Sequence, residues 1–154
     1  MQWKALRTLH LGEVQARIKA YREKHGSLSL LHDEFIKGRM PPGLFQEYVD
    51  WTSMEHAIRA YQEGEDFEYL AEEELSLSDD DFRKLTPKRL ELLNQLTEGR
   101  VGSINELAEL AGRDVKNVYG DLKALEELGF VALNREGRSM VPELLVYEIT
   151  LILG

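Results

Sequence analysis

A series of helix start and stop signals between residues 86 and 129 constrains the fold most strongly. Thr86-Pro87 joins an N-cap residue to a proline at the first helical position. Ser103 followed by Glu106 has the spacing of a capping box. Gly112 and Gly129 are typical residues just past a helix C-terminus. These signals predict three consecutive helices, with a short second helix and a tight turn before the third.

Apolar spacing predicts which residues of these helices are buried. Asp114 is the expected N-cap of the third helix, which spans residues 114–128. The expected core positions are Leu90, Leu93 and Leu96 in the first helix, Leu107 and Leu110 in the second, and Val115, Val118, Leu122 and Leu125 in the third.

Strand signals follow the third helix. Residues 130–133 and 138–141 predict two strands, and residues 134–137, which end in Gly137, predict the turn between them. A last strand is expected at 146–153, with Tyr147, Ile149, Leu151 and Leu153 on one face. We expect a wing at 130–141 and a final strand that either packs within the monomer or forms a dimer interface.

The order helix, short helix, turn, long helix and hairpin is that of a winged helix-turn-helix, here between about Leu85 and Val141. Residues 86–93, 103–114 and 118–131 resemble the winged-helix domains of small MarR-like and DeoR-like regulators. Within them, the run Asp-Leu-Lys-Ala-Leu-Glu-Glu-Leu-Gly-Phe-Val at 121–131 is the most specific feature. More narrowly, the resemblance is to short archaeal and bacterial regulators that include antitoxins of two-gene operons. It covers about 70 residues and implies double-stranded DNA as a ligand. The chain has Gly120 where such relatives often carry arginine or serine.

The helical pattern leaves several polar residues outside the core. On the third helix, an amide, two cations and an aromatic ring could contact base edges and phosphates, and Gly120 would allow close backbone approach. Asp121 would repel phosphate, so we expect it to turn aside and pair with Arg113 or with the neighbours of Lys123. The expected DNA-binding residues are Arg113, Lys116, Asn117, Tyr119 and Lys123, together with Arg135 and Arg138 in the wing.

The first half of the chain is expected to be helical. Val14, Ile18 and Tyr21 predict a helix that stops near Gly26. A second short helix after Ser27 is expected to carry Leu30, Leu31 and Phe35 and to end at Gly38. Pro41-Pro42 then opens a longer helix with the stripe Leu44, Tyr48, Trp51, Ile58 and Tyr61. We therefore predict a mainly α protein with a small β-wing, divided into a helical region at 1–64, an acidic connection with a short helix at 65–84, and a winged helix at 85–154.

The formal net charge of −9 is concentrated in one segment. Residues 60–82 contain ten acidic residues and no basic one, whereas the flanking regions are close to neutral. An acidic protein can still bind DNA if its basic groups share a surface. Because apolar groups lie among these carboxylates, the segment is also a candidate site for a basic protein partner. The residues concerned are Phe67, Tyr69, Leu70, Glu72, Glu73 and Glu74.

Several classes of function are not indicated. The chain has no cysteine, and its four histidines lack the spacing of a helical metal site. No phosphate loop, nucleophile elbow or catalytic triad pattern is present, and adjacent carboxylates on a helix point in different directions. We expect no enzyme activity, no metal or cofactor, no membrane segment and a cytoplasmic location.

This pattern is compatible with three functions. The first is a repressor that binds a short palindrome as a homodimer through residues 114–128 and 130–141. The second is an antitoxin that neutralises a basic toxin through the acidic segment and autoregulates its operon. The third is a winged-helix protein scaffold that does not bind DNA.

Overall fold

The structure, a computed structural model, describes all residues from Met1 to Gly154. It contains seven helices and five strands. The helices are α1 Leu11–His25, α2 Leu28–Ile36, α3 Pro42–Gln62, α4 Asp79–Arg83, α5 Pro87–Thr97, α6 Ile104–Ala111 and α7 Val115–Glu127. The strands are β1 Gln2–Thr8, β2 Leu70–Leu75, β3 Val131–Glu136, β4 Ser139–Leu144 and β5 Val146–Ile152.

The chain forms two compact units, one of residues 8–70 and one of residues 1–7 with 71–154. These boundaries differ from the predicted ones, because the N-terminal strand and the end of the acidic segment join the second unit.

The helical unit, residues 8–70, contains α1, α2 and α3 in the predicted order. Gly26 ends α1 with a positive φ of 86°, and the Ser27 hydroxyl accepts a hydrogen bond from the Leu30 amide to cap α2. Pro42 opens α3, as expected. Val14, Ile18, Leu31, Trp51 and Met54 are buried. Tyr21 stacks on Trp51 with ring centroids 5.8 Å apart.

The second unit contains a winged helix-turn-helix formed by α5, α6, α7 and the antiparallel β3–β4 hairpin. Thr86 caps α5, Ser103 caps α6, and Gly112 has the left-handed φ of 64° expected after α6. The carboxylate of Glu106 accepts a hydrogen bond from the Gly102 amide instead of closing a box on Ser103. The predicted fold class, a helical part with a β-wing, is confirmed.

The helical stripes predicted within this unit are only partly correct. Leu90, Leu110 and Val115 are exposed, whereas Leu92 is buried. Leu110 and Val115 lie on either side of the turn at Gly112, where the chain leaves one helix axis for another. On α5, helical spacing correctly placed Leu93 and Leu96 in the core but included Leu90 and missed Leu92. On α6 and α7 it extended the buried face too close to the turn.

The structure contains a three-stranded sheet with the order β2-β1-β5, and two of its strands lie in regions that were predicted to be helical. β1 lies in a region that the sequence predicted to be helical, and β2 lies where a short helix was expected after Gly64. The later part of the predicted acidic connection contains α4, and the Ser78 hydroxyl caps this helix by accepting a hydrogen bond from the Asp81 amide. Along β2, burial alternates residue by residue, as in a strand with one covered face. The predicted last strand is confirmed as β5, antiparallel to β1.

The core of the second unit joins its helices to both sheets. Ala5 of β1 and Val146 of β5 lie in the same apolar cluster as residues of α5, α6 and α7. The helix that presents the candidate site is therefore anchored on a continuous core. None of the helices combines the length and apolarity needed to cross a membrane.

Candidate nucleic-acid interface

The position of α7 is determined by its cap and by its buried side. The Asp114 carboxylate accepts hydrogen bonds from the backbone amides of Lys116 and Asn117, at 2.8 and 3.4 Å. One turn apart along the helix, Val118, Leu122 and Leu125 are completely buried. Helical geometry then turns the intervening residues toward solvent. The result is a rigid helix with one open face.

The open face of α7 carries four of the predicted DNA-binding residues. Lys116, Asn117, Tyr119 and Lys123 are all exposed. A Cβ added to Gly120 would meet no other atom within 4 Å, so the helix surface is bare at this position. Lys116 and Asn117 lie in the first turn, the end of a recognition helix that usually contacts base edges.

Lys123 already has a partner on its own helix. Its ammonium lies 2.8 Å from a carboxylate oxygen of Glu126. This hydrogen bond, with the charge of Glu126, raises the pKa of Lys123. Because both side chains are partly exposed, the pair can exchange for a phosphate at little cost.

Arg113 does not join this open face. Its guanidinium pairs with Asp121 at 2.5 Å, and Arg89 of α5 donates to the other carboxylate oxygen at 3.0 Å. The predicted sideways pairing of Asp121 with Arg113 is thus observed. Arg113 is engaged in this pair, and its predicted contact with DNA stays a prediction. Arg89 was missed because 32 residues separate it from Asp121, and no local pattern connects them.

Arg113 and Arg89 stabilise the ionised form of the Asp121 carboxylate. Burial raises the pKa of Asp121, but hydrogen bonds from Arg113 and Arg89 outweigh it, and the net effect holds this pKa below its ordinary value. Arg89 also donates to the backbone carbonyl of Lys84 at 2.9 Å. The network joins α7 to α5 and to the segment before it, so it fixes how α7 is presented.

The wing is longer and more tightly turned than predicted. β3 and β4 pair from Val131↔Leu144 to Glu136↔Ser139, so only Gly137 and Arg138 form the turn. Gly137 has a φ of 61°, a conformation that L-residues with side chains rarely adopt.

Both predicted arginines of the wing are available to a ligand. Arg135 lies on β3 opposite Met140, and Arg138 lies at the tip. Both side chains are exposed, and neither forms an ion pair within the chain. Arg100, by contrast, forms an ion pair with Glu136 at the end of β3.

The acidic residues predicted to bind a partner are engaged with β1. Gln2 donates a hydrogen bond to Glu74, Lys4 lies 3.6 Å from Glu72, and Arg7 lies 3.1 Å from Glu73. This pairing explains why three adjacent glutamates occupy a strand. No local signal could have shown this pairing, because Gln2, Lys4 and Arg7 do not follow the strict alternation of a strand.

The apolar residues of the same segment are also engaged, with one exception. In the helical unit, Phe67 packs edge-on against Tyr61 at 6.1 Å. The Tyr69 hydroxyl donates to the backbone carbonyl of Asp50, and burial raises the pKa of Tyr69. Only Leu70 is largely exposed among the three predicted contacts. No group of three or more His, Asp or Glu side chains is placed to hold a metal ion.

One protein-family model matches part of the second unit. The protein-family model named HVO_A0114 matches residues 84–151, from just before α5 into β5. No curated protein matches the sequence.

Two solved structures from Mycobacterium bovis are similar to parts of the chain. One is the homodimeric winged helix-turn-helix DNA-binding domain, fragment 1–100, of a possible ArsR-family transcriptional regulator. It is 22% identical, covers 45% of this chain and 73% of that chain, and gives a TM-score of 0.38. The other is a possible transcriptional regulatory protein, fragment 1–100. It is 23% identical, covers 42% of this chain and 74% of that chain, and also gives a TM-score of 0.38.

Proposed function

We propose that the protein is a sequence-specific regulator that binds double-stranded DNA through the open face of α7 and the tip of the β3–β4 wing. In this proposal it acts as a repressor and as a homodimer, with each copy contacting one half of a short palindrome. A twofold protein matches a palindromic operator because both have the same symmetry.

The open face of α7 carries the proposal. Lys116 and Asn117 combine a cation with an amide that can pair in a bidentate manner with adenine. Tyr119 adds an aromatic ring that can contact a thymine methyl or a sugar. These residues stand on a helix whose opposite side is fully buried, so their positions are preorganised.

The wing supplies a second contact of a different kind. Arg135 and Arg138 are exposed cations without acidic partners, and arginine binds phosphate through a forked pair of donors. Contacts of this kind position a protein on the duplex without reading sequence. We therefore assign base recognition to α7 and backbone binding to the wing.

Selection from a random pool of duplex DNA, followed by titration of the selected site at several salt concentrations, tests the proposal. Lys116→Ala should weaken binding to the selected site by about 1–3 kcal/mol and relax the preference at one base position, because α7 is assigned to base recognition. Lys37→Ala removes the same charge from the helical unit and is the matched control. Failure to recover any preferred sequence, with no binding even at low salt, would refute the proposal in favour of a protein scaffold.

The antitoxin alternative has less support from the contacts of the acidic segment. Its carboxylates at positions 72–74 already face Lys4, Arg7 and Gln2, and Phe67 and Tyr69 pack within the helical unit. A basic partner would have to compete with these contacts. Copurification of a small basic protein, lost when residues 72–74 are changed to glutamine, would favour this alternative.

A further inference from the structure

The outer edge of β5 is an open strand edge of the second unit. β5 is an end strand of the sheet β2-β1-β5, so its backbone groups pair with a strand on only one side. Its side chains Tyr147 and Leu151 and the following Leu153 are exposed. Natural edge strands are usually protected by charge, proline or covering elements, because an open edge pairs readily with another strand.

Charge indicates what kind of strand can approach this edge. The net charge of −9 is concentrated in residues 60–82, so it opposes any contact that would bring these segments of two copies together. Residues 144–154 contain a single charged residue, Glu148. β5 is therefore a segment where two acidic copies can meet with little repulsion, and its single charge, Glu148, gives a basic partner little advantage over a second copy.

The regular part of β5 selects one register for such a contact. The register against β1 shifts between Leu6 and Arg7, which pair with Glu148 and Val146 and leave Tyr147 as a bulge. A bulge disrupts the ladder, so the regular edge spans 148–152. Two copies of this segment overlap completely only when an antiparallel pair is centred on Thr150.

That register also gives favourable side-chain pairs across the two copies of β5. Thr150 meets its own copy, a favourable cross-strand pair, and Ile149 meets Leu151. Each Glu148 meets Ile152, and the two Glu148 residues are about 14 Å apart along the strand, beyond the ~8 Å screening length. A register centred on Glu148 would place two carboxylates opposite each other.

We propose that two copies of this chain pair through the outer edges of β5, antiparallel and centred on Thr150, to form one continuous six-stranded sheet. This inference rests on the proposed function, for which it supplies the homodimer interface. Thr150 faces away from the core, because its neighbour Ile149 packs against the core cluster. Substitutions at Thr150 therefore act on the interface and not on the packing of the unit.

Sedimentation velocity without DNA tests the pairing. Wild type should be a dimer, and Thr150→Gln, which adds size without charge, should remain one. Thr150→Glu and Thr150→Lys should each raise the dimer Kd about tenfold, because each places two like charges opposite each other at the axis. A different partner strand would respond in opposite directions to the two signs of charge.

Thermal unfolding of each variant separates interface effects from folding effects. Within one copy, Thr150 pairs with Lys4 across β1–β5, so Thr150→Lys adds a local repulsion that Thr150→Glu does not. The glutamate variant is therefore the decisive one. A wild type that is monomeric, or a Thr150→Glu variant that dimerises as tightly as wild type, would overturn the proposal.

Cross-linking tests the register. The chain has no cysteine, so Thr150→Cys introduces a single thiol that should give a disulfide-linked dimer on mild oxidation. Glu148→Cys is the matched control and should not cross-link with its own copy, and equal cross-linking of both variants would overturn the register. A monomer that binds DNA would refute the pairing alone, whereas a β5 dimer that binds no DNA would refute the proposed function alone.

Discussion

Replacing Asp121 by asparagine tests whether the ion-pair network between α5 and α7 holds the proposed recognition helix in place. The change keeps the shape of the side chain but removes the charge that faces Arg89 and Arg113. The side chains of these three residues are only 17%, 23% and 18% exposed, so solvent replaces little of what is lost. Two guanidinium groups would then lie close together without an anion between them.

The size of the effect follows from this burial. A hydrogen bond to a charged group contributes about 1.5–3 kcal/mol, and removing one partner of a fully buried pair costs about 3–5 kcal/mol. The network is partly open to solvent, and the amide oxygen still accepts one hydrogen bond. We therefore expect Asp121→Asn to lower the free energy of unfolding by about 2–3 kcal/mol at pH 7. Urea unfolding measures this loss.

The same change predicts a dependence on pH. The pKa of Asp121 is lower in the folded protein than its ordinary value, so the carboxylate stabilises the fold at pH values above that ordinary value, about 3.9. The contribution is lost as the pH falls through the folded-state pKa. The difference between wild type and Asp121→Asn should stay constant from pH 7 to about pH 4 and narrow only below that.

Asp80→Asn is the matched control for this experiment. Asp80 pairs with Arg83 on α4, but both side chains are almost fully exposed, so their loss should not change stability measurably. If Asp121→Asn were no more destabilising than Asp80→Asn, the network would not hold α7. A difference that persisted unchanged at pH 3 would show that the carboxylate charge is not its origin.

Three further results are expected. Asn117→Ala should weaken binding to the selected site by about 1–3 kcal/mol and relax the preference at one base position. Asn94→Ala, on the exposed face of α5, should change neither the affinity nor the preference. Titration against single-base variants of the site measures the two quantities. Arg135→Ala and Arg138→Ala should weaken binding to all sequences about equally and each reduce the salt slope by about one unit, so a wild-type slope in both would remove the wing from the interface. Changing Glu72, Glu73 and Glu74 together to glutamine should leave DNA affinity unchanged or slightly tighter, as measured by the same titration. Glu73→Gln alone should account for most of any loss in thermal stability, because the Glu73 pair with Arg7 is the least exposed of the three contacts. A clear loss of DNA affinity in a folded triple variant would place the acidic strand at the DNA surface.

The winged helix could be predicted because its signals are local. Caps and stops act within one turn of a helix, and Thr86, Ser103, Asp114 and Gly112 each perform the role that their position indicated. The exposed face of α7 follows from the same local logic, since helical spacing relates the buried residues of the third helix to the open ones. The wing was predicted from Gly137, although its strands are longer than expected because pairing continues to Leu144.

The sheet β2-β1-β5 depended on tertiary structure. β1 and β2 have too little apolar alternation to be recognised as strands in isolation. They form strands because β1 pairs with β5, nearly 150 residues away in sequence, and because Lys4 and Arg7 face the glutamates of β2. Local patterns contain no information about such distant partners.

The environments of the charged side chains were also predictable from the sequence in some cases and dependent on tertiary contacts in others. The sequence by itself determined that Asp121 would turn aside to an arginine and that Lys116 and Asn117 would be open to solvent. Only the tertiary structure decided that Arg113 pairs with Asp121 away from the open face of α7, together with Arg89 from another helix. Helix caps and helical faces are local consequences of the sequence, whereas ion pairs between elements and strand pairing exist only once distant segments meet.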